Sequence, residues 1–189
     1  SKSLAIKSAK HNFLILFFLL TSFIPCQVFA HDRSEQGQLL PRMYPAQKFT
    51  GLTNWINSPA IRSMNELKGK VVLIDSWTLG CINCIRTLPY VQKWHQNYRD
   101  QGLVVLGIHA PEFNYERKLD NVKAAVIKFG LTSPIATDNG FKLWRAYKNR
   151  FWPAMYLIDK NGMVRYMRFG EGCYKDTEAA IVQLLKKNS

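Results

Sequence analysis

The sequence predicts an α/β domain: a central mixed β-sheet flanked by helices on both faces, with an N-terminal β-hairpin extension. Three observations carry this reading. Two short, nearly unbroken apolar runs, residues 71–76 and 103–108, suit strands buried on both faces. Each is followed by a helix-length segment, so the strands can lie parallel with crossover connections. Further on, Asn161-Gly162 separates two more strand-like runs and is a strong hairpin signal.

The first thirty residues differ in kind. Lys2, Lys7 and Lys10 make a basic start without an acid, an apolar run from Phe13 to Ile24 follows, and Pro25 and Val28-Phe29-Ala30 close it. That is the order of a secretory signal peptide cleaved after Ala30. The alternative is an uncleaved membrane anchor, but the run is short of the ~20 apolar residues that span a bilayer. Cys26, with Pro25 in place of the small residue of a lipobox, is expected to leave with the signal.

The remaining elements follow in order. Residues 31–48, with Pro41 and Pro45, read as an irregular lead-in to a domain over 49–189. Short apolar pieces over 48–67, broken by Gly51, Asn57, Ser58 and Pro59, predict the small hairpin. Lys68-Gly69-Lys70 turns into the first buried strand. A helix over 81–100 follows, kinked by Pro89 and stopped by Gly102. After the strand at 103–108 come a helix over 116–129 closed by Gly130, a short strand at 134–137 and a short helix at 141–148. Strands at 154–158 and 163–169 flank the Asn-Gly turn, and Asp176 is placed to cap a last helix over 177–187.

Composition bounds the function. With 189 residues, 47% of them hydrophobic, the chain has material for one domain with a real core. The net charge of +13 falls to +10 without the three leader lysines, and the basic residues form no dense run. A solvated basic surface is therefore expected, not a nucleic-acid partner, and a monomer exported to a periplasm, or membrane-anchored if the leader stays. Three cysteines then remain, too few for a disulfide scaffold. Cys173 is the odd one, either an incidental free thiol or a partner in exchange with Cys81 or another molecule.

Cys81-Ile82-Asn83-Cys84 is the chemical centre of the sequence. Two thiols at this spacing on a strand-to-helix turn can form a disulfide. If Cys81 opens the helix, the helix dipole and free N–H groups favour its thiolate. Asp75 lies in an otherwise apolar strand, and a buried carboxylate with a raised pKa suits a base that deprotonates Cys84. The topology also delivers Glu112, Pro153, Glu171 and Cys173 to the sheet edge that carries Cys81.

Residues 71–84, with Trp77, Pro89 and Pro153, resemble the thioredoxin active-site segment. More closely, residues 81–90 (CINCIRTLPY), 107–113 (GIHAPEF), 152–159 (WPAMYLID) and 169–174 (FGEGCY) resemble exported thioredoxin-like proteins of the TlpA/DipZ redoxin group. The resemblance implies a thioredoxin-like fold and a thiol–disulfide oxidoreductase. It further implies Cys81 as attacking thiolate, Cys84 as resolving thiol, Asp75 at the buried-acid position and Pro153 as a cis-proline beside the substrate. Trp77, Trp152, Glu112 and Glu171 are candidate groove residues, with Trp152 in place of the usual small or β-branched residue. No bound cofactor or metal is implied, the redox group being the Cys81–Cys84 disulfide itself. The implied partners are a membrane thiol/disulfide electron donor and oxidised exported proteins.

Two alternatives stand beside it. Thr78-Leu79-Gly80-Cys81 matches the T-x-x-C of a thiol peroxidase, although Ile74 replaces the proline of that signature. A copper or other soft-metal handler could use the two thiolates with His109 or a methionine.

Overall fold

Every residue of strand β3 (Val71–Trp77) is buried, as its nearly unbroken apolar run requires. In the computed structural model, which describes residues 39–40 and 44–187, β3 lies at the centre of a seven-stranded sheet. It pairs parallel with β4 (Leu103–His109) and antiparallel with β6 (Ala154–Ile158). Outside β6 lie β7 (Met163–Phe169) and then β1 (Tyr44–Pro45); outside β4 lie β5 (Ile135–Thr137) and then β2 (Thr53–Ile56). Among the described residues, only the β3–β4 and β4–β5 pairs are parallel.

Alternation along β3 sorts its side chains between two layers. Val71 and Leu73 pack with Val91 and Trp94 of α1 (Ile82–Tyr98) and with Ala180, Ile181 and Leu184 of α4 (Tyr174–Lys186). Trp77, on the same face, joins Cys84 and Leu88 of α1 and Val122 and Val126 of α2 (Leu119–Lys128). Val72 and Ile74 face the other way, onto Phe49, Leu67 and Leu143 of α3 (Lys142–Ala146). Helices therefore cover both faces, and the wall behind Cys84 is apolar.

The expected N-terminal hairpin does not form. β1 and β2 sit at opposite edges of the sheet, and β2 pairs antiparallel with β5. The Thr53 and Thr137 hydroxyls meet at 3.0 Å, and the Asn57 amide donates to the carbonyls of Leu131 and Ser133. Turn residues mark where a strand stops and do not choose its partner, and a sheet with two open edges offered each segment a separate one. Tyr44–Pro45 is thus a strand inside the segment read as irregular, and its proline is at an edge, where a missing N–H is tolerated.

Two helix boundaries also move. α1 runs unbroken through Pro89. A 3₁₀ turn at Asn114–Arg117 precedes α2, so Glu116 belongs to that turn and not to the helix. α4 begins at Tyr174, which puts Asp176 in its first turn and Cys173 at the cap position. The leader over 1–30 and most of the lead-in lie outside the described residues. Among the described residues no helix is long and apolar enough to cross a membrane.

Register gathers the chemistry. Trp77 is opposite His109 at the ends of β3 and β4, while Ser76 faces Ala154 and Ala154 faces Phe169. The segments after β3 and β4, before β6 and after β7 all emerge at this one end of the sheet.

Candidate active site

Cys81 is the N-cap residue of α1, with an extended backbone that leaves its sulfur facing the free N–H groups of the first turn. The Cys84 N–H donates to Cys81 Sγ at 3.3 Å. Hydrogen bonds from the Cys84 thiol and from the Asn83 and Cys84 N–H groups lower the Cys81 pKa from 9.0 to about 6; partial burial and the nearby Glu112 charge oppose them. Cys84, one turn on, is buried, and burial first, then its bond to Cys81, pushes its thiol well above the ordinary range. Both are free thiols, so the structure is the dithiol form. One sulfur is primed as a thiolate and the other is held as a thiol.

Asp75 is buried two residues before Trp77, on the face that carries Cys84. Burial first, and then the charge of Cys81, raises its pKa from 3.8 to about 7, and its Oδ1 has no hydrogen-bond partner among the described residues. It also acts electrostatically on Cys84. A carboxyl group poised near neutrality, with an idle oxygen and a high-pKa thiol in its field, can exchange a proton with that thiol.

Across from Cys81, the Trp152–Pro153 peptide bond is cis, and the Trp152 carbonyl oxygen lies 3.8 Å from Cys81 Sγ. The Trp152 indole is fixed twice: Nε1 donates to the Ala110 carbonyl at 2.9 Å, and the ring packs on Trp144 at 4.3 Å. The structure therefore brings Cys81, Cys84, Asp75, Trp152 and Pro153 together, with exposed Glu112 close enough for its charge to reach the thiol.

One groove candidate falls elsewhere, and another is held in an ion pair. Trp77 is fully buried, edge-on to His109 at 5.0 Å, so it presents no surface to a substrate. Its burial follows from position: i and i+2 in a strand share a face, and Trp77 shares that of Asp75 against α1. Glu171 pairs with Arg86 on α1 at 3.4 Å, an exposed ion pair. Cys173 is not among the free thiols and already has a bonding partner.

His109 is fully buried, and its Nε2 accepts the Leu79 N–H at 3.2 Å. Burial lowers its pKa to about 4, so at neutral pH it is an uncharged acceptor that pins the loop before Cys81. Among the described residues there is no group of three or more His, Cys, Asp or Glu placed to hold a metal ion.

Sequence reasoning missed Glu116, which has no exposed surface. It accepts N–H groups from Gly80 and Phe113 at 2.9 Å each, and a third from Glu112. The available signal was its place three residues after Phe113, where a glutamate reaches back to the N–H that opens a helical turn. Placing a helix start at Glu116 itself concealed that relation. Also missed was the apolar rim of Ile82, Phe113, Tyr115 and Phe151, 57%, 54%, 47% and 49% exposed.

Comparison with known proteins agrees with this geometry. Protein DipZ of Mycobacterium tuberculosis (strain CDC 1551 / Oshkosh) is 46% identical over 142 residues, covering 74% of this chain and 20% of that protein. The chain thus spans about one fifth of the length of that relative. Thiol-disulfide oxidoreductase YkuV of Bacillus subtilis (strain 168) is 30% identical over 142 residues, 75% of this chain and 94% of that protein. The crystal structure of the thioredoxin-like superfamily protein SPOA0173 superposes with a TM-score of 0.71 at 26% identity, over 77% of this chain and 98% of that one. The fold is thioredoxin-like, and the AhpC/TSA family model matches residues 45–167. With that match and a full-length oxidoreductase relative in YkuV, the chain belongs to the AhpC/TSA family, among its thioredoxin-like redox proteins.

Proposed function

We propose that this chain is an exported thiol–disulfide oxidoreductase that cycles Cys81 and Cys84 between dithiol and disulfide. It reduces disulfides of exported proteins with electrons from a membrane thiol donor. The observation that carries the reading is the asymmetric pair at the start of α1: a Cys81 sulfur favoured as thiolate and a buried Cys84 held as thiol beside Asp75. Relatives named as thiol-disulfide oxidoreductases, YkuV and ResA, support the reaction class. The leader-like first thirty residues support export.

The mechanism follows from the residues. Cys81 thiolate attacks one sulfur of a substrate disulfide, a mixed disulfide forms, and the other substrate sulfur leaves as a thiolate that takes a proton. Cys84 then loses its proton to Asp75 and attacks Cys81, releasing the second substrate thiolate and closing the Cys81–Cys84 disulfide. Two electrons pass to the substrate, and a dithiol donor must return them. Exposed Ile82, Phe113, Tyr115 and Phe151, on the segments that meet at the Cys81 end of the sheet, suit a polypeptide substrate better than a small polar one. The Thr78 hydroxyl, which a peroxidase reading would aim at peroxide, is engaged by Glu116.

The deciding experiment equilibrates the protein with dithiol buffers and reads the Cys81–Cys84 couple. A potential near −270 mV, roughly that of thioredoxin, supports a reductant. A value of about −120 mV makes it a disulfide donor and reverses the proposed direction, and no disulfide at all ends the redox reading.

A further inference from the structure

Glu116 is placed as a bridge. Its Oε1 accepts the N–H of Gly80, the residue before the nucleophile, while its Oε2 accepts the N–H groups of Glu112 and Phe113 in the segment after β4. The hydroxyls of Thr78 and Tyr115 also bond to it. One carboxylate oxygen thus serves each loop. The close approach needs a glycine, because a Cβ on Gly80 would stand 2.5 Å from Oε1. The carboxylate that gathers these donors is itself fully buried, so the bridge is costly to leave half made.

The mechanism above gives Glu116 no part, yet its geometry acts on Cys81. An N-cap sulfur meets the first-turn N–H groups only while the loop delivering it approaches the helix at one angle. His109 fixes that loop at Leu79 and Glu116 fixes it at Thr78 and Gly80. We propose that Glu116 is the positioning residue of this redox site: by tying the Thr78–Gly80 loop to the Glu112–Phe113 segment, it holds the Cys81 sulfur against the N–H groups of Asn83 and Cys84. The inference deepens the oxidoreductase reading and rests on it for its functional meaning.

Three roles give three different results. A bare negative charge near a forming thiolate disfavours it, so deleting that charge lowers the Cys81 pKa. A bond that merely stabilises the fold leaves the pKa of a folded variant where it was. A positioning bond, once broken, lets the sulfur drift from its donors and raises the pKa, even in a variant that keeps the charge.

The test uses the full chain with Glu116→Gln and Glu116→Asp. Gln offers one acceptor oxygen and turns an NH₂ toward the other loop's donors; Asp keeps the charge but is one methylene too short to span both loops. Iodoacetamide alkylation is followed against pH on the Cys81-containing peptide by mass spectrometry. Both variants are expected to raise the midpoint by about one unit or more, roughly tenfold in the thiol–thiolate equilibrium. Asp159→Asn is the control: that carboxylate also accepts two backbone N–H groups, but at the far hairpin, so the variant loses stability without moving the midpoint. A midpoint that falls, or stays put, in folded Glu116 variants overturns the proposal. If neither folds, Thr78→Val, which removes one bond to the bridge, takes their place, with a smaller rise expected and no rise overturning it. Failure of the wild type to form the Cys81–Cys84 disulfide would defeat the oxidoreductase reading by a separate measurement.

Discussion

The backbone N–H of Cys84 lies 3.3 Å from the sulfur of Cys81, so the resolving residue supports the nucleophile before any disulfide forms. With the Asn83 N–H and the Cys84 thiol beside it, the Cys81 thiolate dominates above about pH 6. The rate of Cys81 alkylation is expected to rise through pH 6 and level off by neutrality. Cys81→Ser abolishes exchange, and Cys84→Ser accumulates a mixed disulfide through Cys81, visible by non-reducing mass spectrometry. A midpoint near the ordinary ~8.5 would show that the helix start does not act on this thiol.

The same asymmetry sets how the potential depends on pH. Below about pH 6 reduction takes up two protons per two electrons; above it, Cys81 stays ionised and only Cys84 takes one. Slopes of about 59 and about 30 mV per pH unit follow. Asp75 blunts the break in the wild type, because its pKa of about 7 is raised partly by the charge of Cys81 and so changes on oxidation. Asp75→Asn is therefore the variant in which the break at about pH 6 is expected to be sharp. A single slope across pH 5–8 in that variant would refute the split between the two thiols.

Asp75 and His109 pull stability in opposite directions with pH. Asp75, raised from 3.8 to about 7, holds a proton that the unfolded chain has lost, so the stability it contributes at low pH is lost as pH rises through 7. His109, lowered from 6.5 to about 4, refuses a proton that the unfolded chain accepts, so its contribution is present above 6.5 and is lost as pH falls through 4. Between pH 4 and 6.5 the two slopes oppose one another, each on the order of a few kcal/mol over its full range. Urea unfolding of the reduced wild type is expected to give a shallow profile there. Asp75→Asn should become more stable as pH rises across the window, and His109→Gln should become less stable. Matching profiles in all three would remove both groups as the cause.

Much of this was legible in the sequence because the deciding signals were local. The apolar runs located β3, β4 and β6, and the C-x-x-C spacing placed both sulfurs on one helical turn. What was not legible depended on partners distant in the chain. β2 chose β5 through Thr53 and Thr137, which are 84 residues apart. Trp77 looked like a groove residue beside the cysteines, but strand alternation turns it under α1. Glu116 resembled an ordinary helix-start acid until Gly80 came within reach of it.

Trp152 forms a wall that cannot rotate away, because Ala110 holds its indole N–H and Trp144 packs on its ring. A rigid bulky side chain before Pro153 limits how closely a folded substrate approaches Cys81. Trp152→Ala is expected to increase kcat/KM for a protein disulfide such as insulin relative to a small aromatic disulfide, by a few-fold, while the Cys81 alkylation midpoint stays near 6. An equal change for both substrates would mean that the indole supports the site and does not gate it.

Gly80 tests the packing before the nucleophile. A Cβ there would stand 2.2 Å from the Tyr115 hydroxyl and 2.5 Å from Glu116 Oε1. Tyr115 is half exposed and can swing aside, whereas Glu116 is buried and bonded on both oxygens. Gly80→Ala is therefore expected to destabilise the protein by about 1–3 kcal/mol, the ordinary cost of overpacking, and to slow disulfide exchange. Adding Tyr115→Ala should return only a minor part of that loss, because the clash with Glu116 persists. Full recovery in the double variant, read as a coupling energy from urea unfolding of all four proteins, would place the constraint on Tyr115 and release Glu116 from it.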